Sequence, residues 1–313
     1  EFAYLNDVWV LDLESNVWHS VLCRGEPPEP RYGHACQLVG SRMFVLGGKG
    51  PKGKLYRDVY ILDMAGGWTW VLVSATSVGP SPRLGSASVL VGRKIVIHGG
   101  WDGHGNCCAD LWVFDTDSFA WLKPRTAGFP PGPRYGHTLH LLADGRILLF
   151  GGAGVASAAA GNDDIPVYLN DLRQLDTETM AWSKPRTGGC VPSARFGHTL
   201  TAAGAGADSG GAGGGQVVLL GGWGYGGLQG PDSKRIGAGT AVVLDTNPGA
   251  AAELGPDGLQ LGFPRVRGRG PLPHLYGHTA AAVGEALYVF GGWSGQQAMG
   301  DMFVLELGAA SSG

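Results

Sequence analysis

At 313 residues and 44% hydrophobic content the chain can bury a large core, and a repeat domain of this length is ordinary as one unit. A formal net charge of −3 argues against a nucleic-acid or anionic-membrane partner, and no run approaches 18 apolar residues, so no membrane-spanning helix is expected. Five cysteines without a C-x-x-C pair, and no N-x-S/T acceptor, favour a reducing, cytoplasmic compartment.

In chain order, the first segment, "NDVWVLDLESNVW" (Asn6 to Trp18), reads as the back half of a unit. The first complete unit starts at "RYGH" (Arg31 to His34) and continues through "MFVLGG" (Met43 to Gly48) and "DVYILD" (Asp58 to Asp63). Trp68 and Trp70 both compete for its last strand. The second starts at "RLGS" (Arg83 to Ser86), with "IVIHGG", "DLWVFD" and Trp121. The third starts at Arg134, with "ILLFGG", "NDLRQLD" and Trp182. The fourth starts at Arg195, with "VVLLGG" and "AVVLD", and has no Trp after Asp245; it should be the least regular. The last starts at "LYGH" (Leu275 to His278), with "LYVFGG" and "DMFVLEL". A period near fifty, stretched by insertions, marks a repeat architecture.

Each unit offers four strand-length runs rich in β-branched and aromatic residues between Gly, Pro, Asp and Ser punctuation. No window sustains helical spacing. Four-stranded antiparallel sheets set radially cover one another's faces, so the pattern predicts an all-β propeller. Paired glycines suit close approach or a bulge, and the Trp offers area to the adjacent blade. We expect one domain over 1–313: a half unit over 1–24, repeats starting near 31, 83, 134, 195 and 275, and Gly/Ala-rich loop insertions over 153–164 and 202–215. The count gives five or six blades. The chain opens in mid-unit without Met, which we read as a fragment of a longer protein.

The order R-x-G-H, apolar-Gly-Gly, Asp-apolar-Asp, Trp resembles the kelch repeat over nearly the whole chain. Ser86 in place of His, Leu275 in place of Arg, and the missing Trp of the fourth unit depart from it. The resemblance implies a propeller that holds protein segments on one loop face.

Sites of chemistry are not expected. His34, His137, His198 and His278 lie one per blade. Packed sheets are about 10 Å apart whereas metal–nitrogen bonds are about 2 Å, so each His is read as ordering its own blade through nearby backbone. "GGKGPKG" (Gly47 to Gly53) and "GGWGYGG" (Gly221 to Gly227) match a dinucleotide fingerprint but lack the helix that must follow. Asp12, Asp63, Asp115, Asp176 and Asp245 stand where a tight turn wants a side-chain acceptor. No catalytic set, metal or other cofactor is expected. Strand alternation puts the loop after Gly-Gly and the loop before R-x-G-H on one face. That face would carry Arg31, Arg83, Arg134 and Arg195 with Lys49, Trp101, Trp223 and Trp293, a composition enriched at binding hot spots. The expected role is a non-enzymatic, monomeric interaction module that binds an acidic, partly apolar protein segment, with no nucleic-acid or membrane partner. The alternative is the propeller part of a larger enzyme or of a ubiquitin-ligase adaptor.

Overall fold

Every double glycine terminates a strand of the same kind: Arg42–Lys49, Lys94–His98, Arg146–Phe150, Gln216–Leu220 and Ala286–Phe290 run into or end just before it. In the computed structural model, which describes residues 3–155, 166–189, 191–203, 216–225, 241–246, 252–254, 258–262, 266–267 and 274–307, these are the second strands of five antiparallel sheets. The 156–164 and 204–215 parts of the two predicted insertions lie outside the described residues, and Ala202 and Ala203 of the second are not loop but the end of the strand Thr199–Ala203. Within the first insertion Ala153–Val155 is not loop but strand, paired with Pro166–Tyr168.

The chain divides into two compact units, one of residues 1–124 with 133–135 and one of residues 125–132 with 136–313. The first unit opens with the hairpin Val8–Asp12 and Val17–Val21. A sheet follows of Ala35–Val39, Arg42–Lys49, Leu55–Asp63 and Thr69–Leu72, edged by Arg24–Gly25 in parallel. Next comes the sheet Ala87–Val91, Lys94–His98, Leu111–Asp115 and Trp121–Leu122. Phe44, Leu46, Val59 and Ile61 of one sheet pack with Ile95, Ile97, Phe114 and Trp121 of the next. Burying such side chains contributes about 1.5–3 kcal/mol each. Trp70 is the core tryptophan and packs with Val8 of the hairpin, while Trp68 occupies the turn at φ 57°. "GGKGPKG" makes only the single 3-10 turn Pro51–Gly53 before the next strand, so no phosphate-binding helix follows it.

Among its described residues the second unit holds three larger sheets besides the two-stranded pair Ala153–Val155 and Pro166–Tyr168. The first is Thr138–Leu141, Arg146–Phe150, Leu172–Asp176 and Ala181–Ser183, edged by Ala127–Gly128. The second is Thr199–Ala203, Gln216–Leu220, Ala241–Asp245 and Leu259–Gly262, edged by Thr187–Gly189. The third is Thr279–Val283, Ala286–Phe290 and Met302–Leu307, edged by Val266–Arg267. Buried Leu259 and Leu261 do in the second sheet what Trp does elsewhere, packing with Leu148 and Phe150 of the sheet before. Leu275 sits in the cluster of Val218, Leu220, Leu287 and Val289 that joins the second sheet to the third.

The joints between sheets explain the glycines. Both residues of each pair have positive φ, for example 64° and 98° at Gly47 and Gly48. The N–H of the second glycine donates to the next blade: Gly48 to Arg83 O at 2.9 Å, Gly152 to Arg195 O at 2.8 Å, Gly222 to Leu275 O at 2.8 Å. A Cβ on Gly221 would come 2.4 Å from Leu275 O, so no other residue fits. A second chain of bonds links the motif glycines themselves, Gly85 N to Gly33 O, Gly197 N to Gly136 O and Gly277 N to Gly197 O. The turn aspartates act as their spacing predicts. Asp12 Oδ1 accepts the N–H groups of Glu14 and Ser15, and Asp115 and Asp176 repeat the arrangement.

Candidate functional site

The motif arginine begins each unit where the chain turns into its first strand, and its side chain goes inward. Arg31, Arg83, Arg134 and Arg195 are only 2–6% exposed. Arg83 forms a fork on Asp110, at 2.5 Å and 3.2 Å, and its remaining N–H groups reach Gly99 O, Ser81 O and Ser81 Oγ. Arg31 does the same on Asp58, at 2.6 Å and 3.0 Å, and on Gly47 O and Glu29 O. Arg195 donates to Gly221 O and to Ser193. The reason is chemical. The guanidinium carries five donors in a rigid fork, and the first glycine of the pair, made irregular by its positive φ, leaves a carbonyl there to be satisfied. Burial alone would push the Asp110 carboxyl up, but hydrogen bonds from Arg83 and the Trp112 indole outweigh it and hold the group below the usual carboxylate range. The four arginines are therefore internal struts under the loops, and the guanidinium groups do not line the surface.

What those struts support is the residue beside each of them. The residue after the motif's first position, Arg or, in the last repeat, Leu275, forms a β-bridge with the residue after Gly-Gly: Tyr32 with Lys49, Leu84 with Trp101, Phe196 with Trp223, Tyr276 with Trp293. The two loops thus meet at one end of these four blades, and the side chains displayed there are mostly aromatic. In the first unit Tyr32 is 49% exposed and leans on Tyr4, with ring centroids 5.7 Å apart. Together with Ala3, Leu5 and Arg31 these two tyrosines line an open groove of about 500 Å³. Lys49 Nζ stands 5.3 Å from the Trp101 ring centroid, a cation–π pair. The Trp101 loop is shaped by Asp102, whose Oδ1 accepts the N–H groups of His104 and Asn106.

In the second unit the rings form an unbroken row. Tyr225 meets Tyr168 at 4.9 Å, and Tyr168 stacks on Phe196 at 5.6 Å with planes 11° apart. Phe196 meets Tyr276 at 5.7 Å, and Tyr276 meets Trp223 at 5.4 Å. Of these, only Trp223 is among the residues expected to bind. Phe196 and Tyr276 had a signal: the x of R-x-G-H is Tyr, Leu, Tyr, Phe and Tyr in turn. Tyr168 had none, because it comes from the strand Pro166–Tyr168 that follows an insertion. It fills the place left where buried Ala153 stands in place of a tryptophan, and the two residues pair in register.

Of the motif histidines, His137, His198 and His278 are buried and His34 is exposed, and for His198 and His278 the expectation that each orders its own blade is corrected. His198 Nε2 shares a hydrogen bond with Thr138 Oγ1 at 2.9 Å, and His278 Nε2 with Thr199 Oγ1 at 3.0 Å. Each histidine ties its blade to the preceding one, and His198 also packs edge-on against Phe150 there. Burial, reinforced by the Arg195 charge, pushes His198 down to about 3, and burial pushes His278 down to about 4. Both rings are neutral at physiological pH, with one nitrogen committed to a threonine. No group of three or more His, Cys, Asp or Glu is placed to hold a metal among the described residues, and no described helix is long and apolar enough to cross a membrane.

Comparison with known proteins then decides the family. The "KLHDC2/KLHL20/DRC7 Kelch-repeats domain" model matches residues 1–207 and the "Kelch motif" model matches 274–307. The chain belongs to the kelch-repeat β-propeller family. It is 28% identical over 340 residues to Drosophila melanogaster host cell factor, covering 97% of this chain and 20% of that protein. It is 30% identical over 313 residues to the Arabidopsis thaliana serine/threonine-protein phosphatase BSL2, covering 96% of this chain and 28% of that one. It is 33% identical over 199 residues to the mouse Rab9 effector protein with kelch motifs, covering 60% of this chain and 49% of that one. The chain spans half or less of each of these relatives' length. Kelch propellers serve in general as protein-interaction scaffolds.

Proposed function

We propose that this kelch propeller is a non-enzymatic scaffold or adaptor module that docks a protein segment on the loops following R-x-G-H and Gly-Gly. The observation that carries the reading is the pairing of these loops over buried arginines. Each arginine fixes a loop from below, and buried Leu275 takes that place in the last repeat, so Tyr32, Trp101, Trp223, Tyr276 and Trp293 are held with few rotors left to freeze on binding. Lys49, held beside the Trp101 ring, offers its ammonium charge to an acidic side chain of the partner. An acidic preference therefore rests on Lys49, since the motif arginines are committed internally. The described cysteines are free thiols, which supports action in the cytoplasm. The relatives named for host cell factor and Rab9 effector functions support an interaction role. The 28% coverage of the BSL2 phosphatase favours a second reading, a propeller serving a larger protein that carries an enzyme elsewhere.

The test is affinity capture with the wild-type chain and with Trp101→Ala, Trp223→Ala and Lys49→Glu, each verified as folded. Loss of the same partners from these variants supports the reading. Retention of every partner at unchanged affinity rejects it. Truncating a central anchor should cost about 2 kcal/mol, roughly thirtyfold in affinity.

A further inference from the structure

We infer that the aromatic row of the second unit, Tyr225–Tyr168–Phe196–Tyr276–Trp223, is a platform for a proline-rich segment in the polyproline II conformation. This rests on the reading that the loop face docks protein, and it names the chemistry of the segment. Three observations carry it. The first is geometric. Successive rings stand 4.9–5.7 Å apart in contact. A polyproline II helix advances about 9 Å per turn, so side chains one turn apart can seat on alternate rings, which lie no more than two ring steps apart. The second is charge. Arg195 is bonded to Gly221 and Ser193, and the place of the next motif arginine is taken by buried Leu275. An acidic segment is thus poorly served here, whereas an uncharged one is not repelled. The third is the sense of the hydrogen bonds on offer. Tyr225 Oη accepts the Tyr168 backbone N–H at 3.2 Å, which leaves its own proton to donate. Among the described residues the phenols of Tyr168 and Tyr276 and the indole N–H of Trp223 have no acceptor, so the platform presents donors. A proline-rich chain is the complement: its carbonyls are unpaired and its prolines lack N–H groups.

The experiment is fluorescence anisotropy of a labelled twelve-residue peptide of repeated Pro-x-x-Pro pattern with Ala and Leu at x, against an acidic peptide of equal length. We expect the proline-rich peptide to bind, with affinity changing less than about twofold between 0.05 and 0.5 M salt, because no charge pair is there to be screened. Tyr276→Leu, which keeps bulk but removes the ring and the phenol, should weaken binding at least tenfold. Tyr276→Phe, which deletes only the donor and is the safer variant for folding, should weaken it about threefold. Binding of the acidic peptide in preference to the proline-rich one, lost in Tyr276→Leu and kept in Lys49→Glu, would overturn the inference, as would unchanged affinity in both Tyr276 variants. If the proline-rich peptide fails while Trp223→Ala still loses captured partners, this inference alone falls. If Trp223→Ala and Trp101→Ala keep every partner, the docking reading falls as well.

Discussion

Removing Asp110 should destabilise the protein more than removing both Asp110 and the arginine it holds. In the folded chain Arg83 is 6% exposed, and Asp110 supplies two of its hydrogen bonds and the whole of its counter-charge. Asp110→Ala leaves a buried cation with only Gly99 O, Ser81 O and Ser81 Oγ as partners. Breaking a buried pair from one side typically costs about 3–5 kcal/mol, and the three remaining acceptors place this site at the lower end, about 3 kcal/mol. The double variant Arg83→Leu, Asp110→Ala removes the stranded charge, and replacing a buried pair by apolar side chains is often neutral or stabilising. This chain already contains the apolar solution: Leu275 occupies the same place, 2% exposed, in the last unit. We therefore expect the double variant to recover about 1 kcal/mol or more relative to Asp110→Ala. Urea unfolding followed by tryptophan fluorescence reads the loss of structure, with Trp112 and Trp121 of the second blade, which meet edge to face, among the ten reporters. An Asp110→Ala chain within about 1 kcal/mol of wild type, or a double variant less stable than Asp110→Ala, would refute the strut argument.

Three further outcomes are expected. Burial, the largest cause in each case, holds His98 near 3, His140 near 4, His198 near 3 and His278 near 4 in the folded state. An unfolded chain takes up those protons below the ordinary value of about 6.5, so stability is complete above that pH and falls as pH drops towards 4, by roughly 1–2 kcal/mol per histidine at pH 5.5; urea midpoints that stay level between pH 7.5 and 5 would exclude this. Next, Ser86 replaces the motif histidine opposite Ala35, the position that Thr138 and Thr199 fill for His198 and His278, and a cavity of about 20 Å³ lies beside Ser86. Ser86→His alone should gain little, because its ring nitrogen finds no hydroxyl, and adding Ala35→Thr should raise stability by about 1 kcal/mol over that single variant; strict additivity in the double-mutant cycle would contradict the coupling. Finally, Gly221→Ala must push a methyl group into Leu275 O and His278 from a backbone at φ 64°, so it should lower the thermal midpoint by several degrees or prevent folding, which a scan of soluble protein checks.

Much of this architecture was legible because each marker has a local cause. The double glycine announces two positive φ values, and the strand-ending aspartates announce a turn that needs a side-chain acceptor. The direction of a side chain is a different matter. Arg31 and Arg83 look like surface cations in a loop, and only the fold shows them turned under it. Yet their partners stand at the same distance along the chain, Asp58 and Asp110 each following by 27 residues, so the pairing could have been read from the repeat. The Thr138–His198 tie was hidden because it joins neighbouring units rather than positions in one unit. Tyr168 was beyond reach, since it lies outside the repeat pattern and its place against Phe196 depends on the hairpin with Ala153–Val155.

The docking claim is tested most directly by site-specific photocrosslinking within the second unit. A benzoylphenylalanine at Tyr276 samples the loop end of its blade, and one at Glu178, in the turn that Asp176 organises, samples the end where a protein segment is not expected. In a cell extract, the account predicts covalent adducts with a partner from position 276 and none from position 178. Adducts from position 178 with none from position 276 would contradict it.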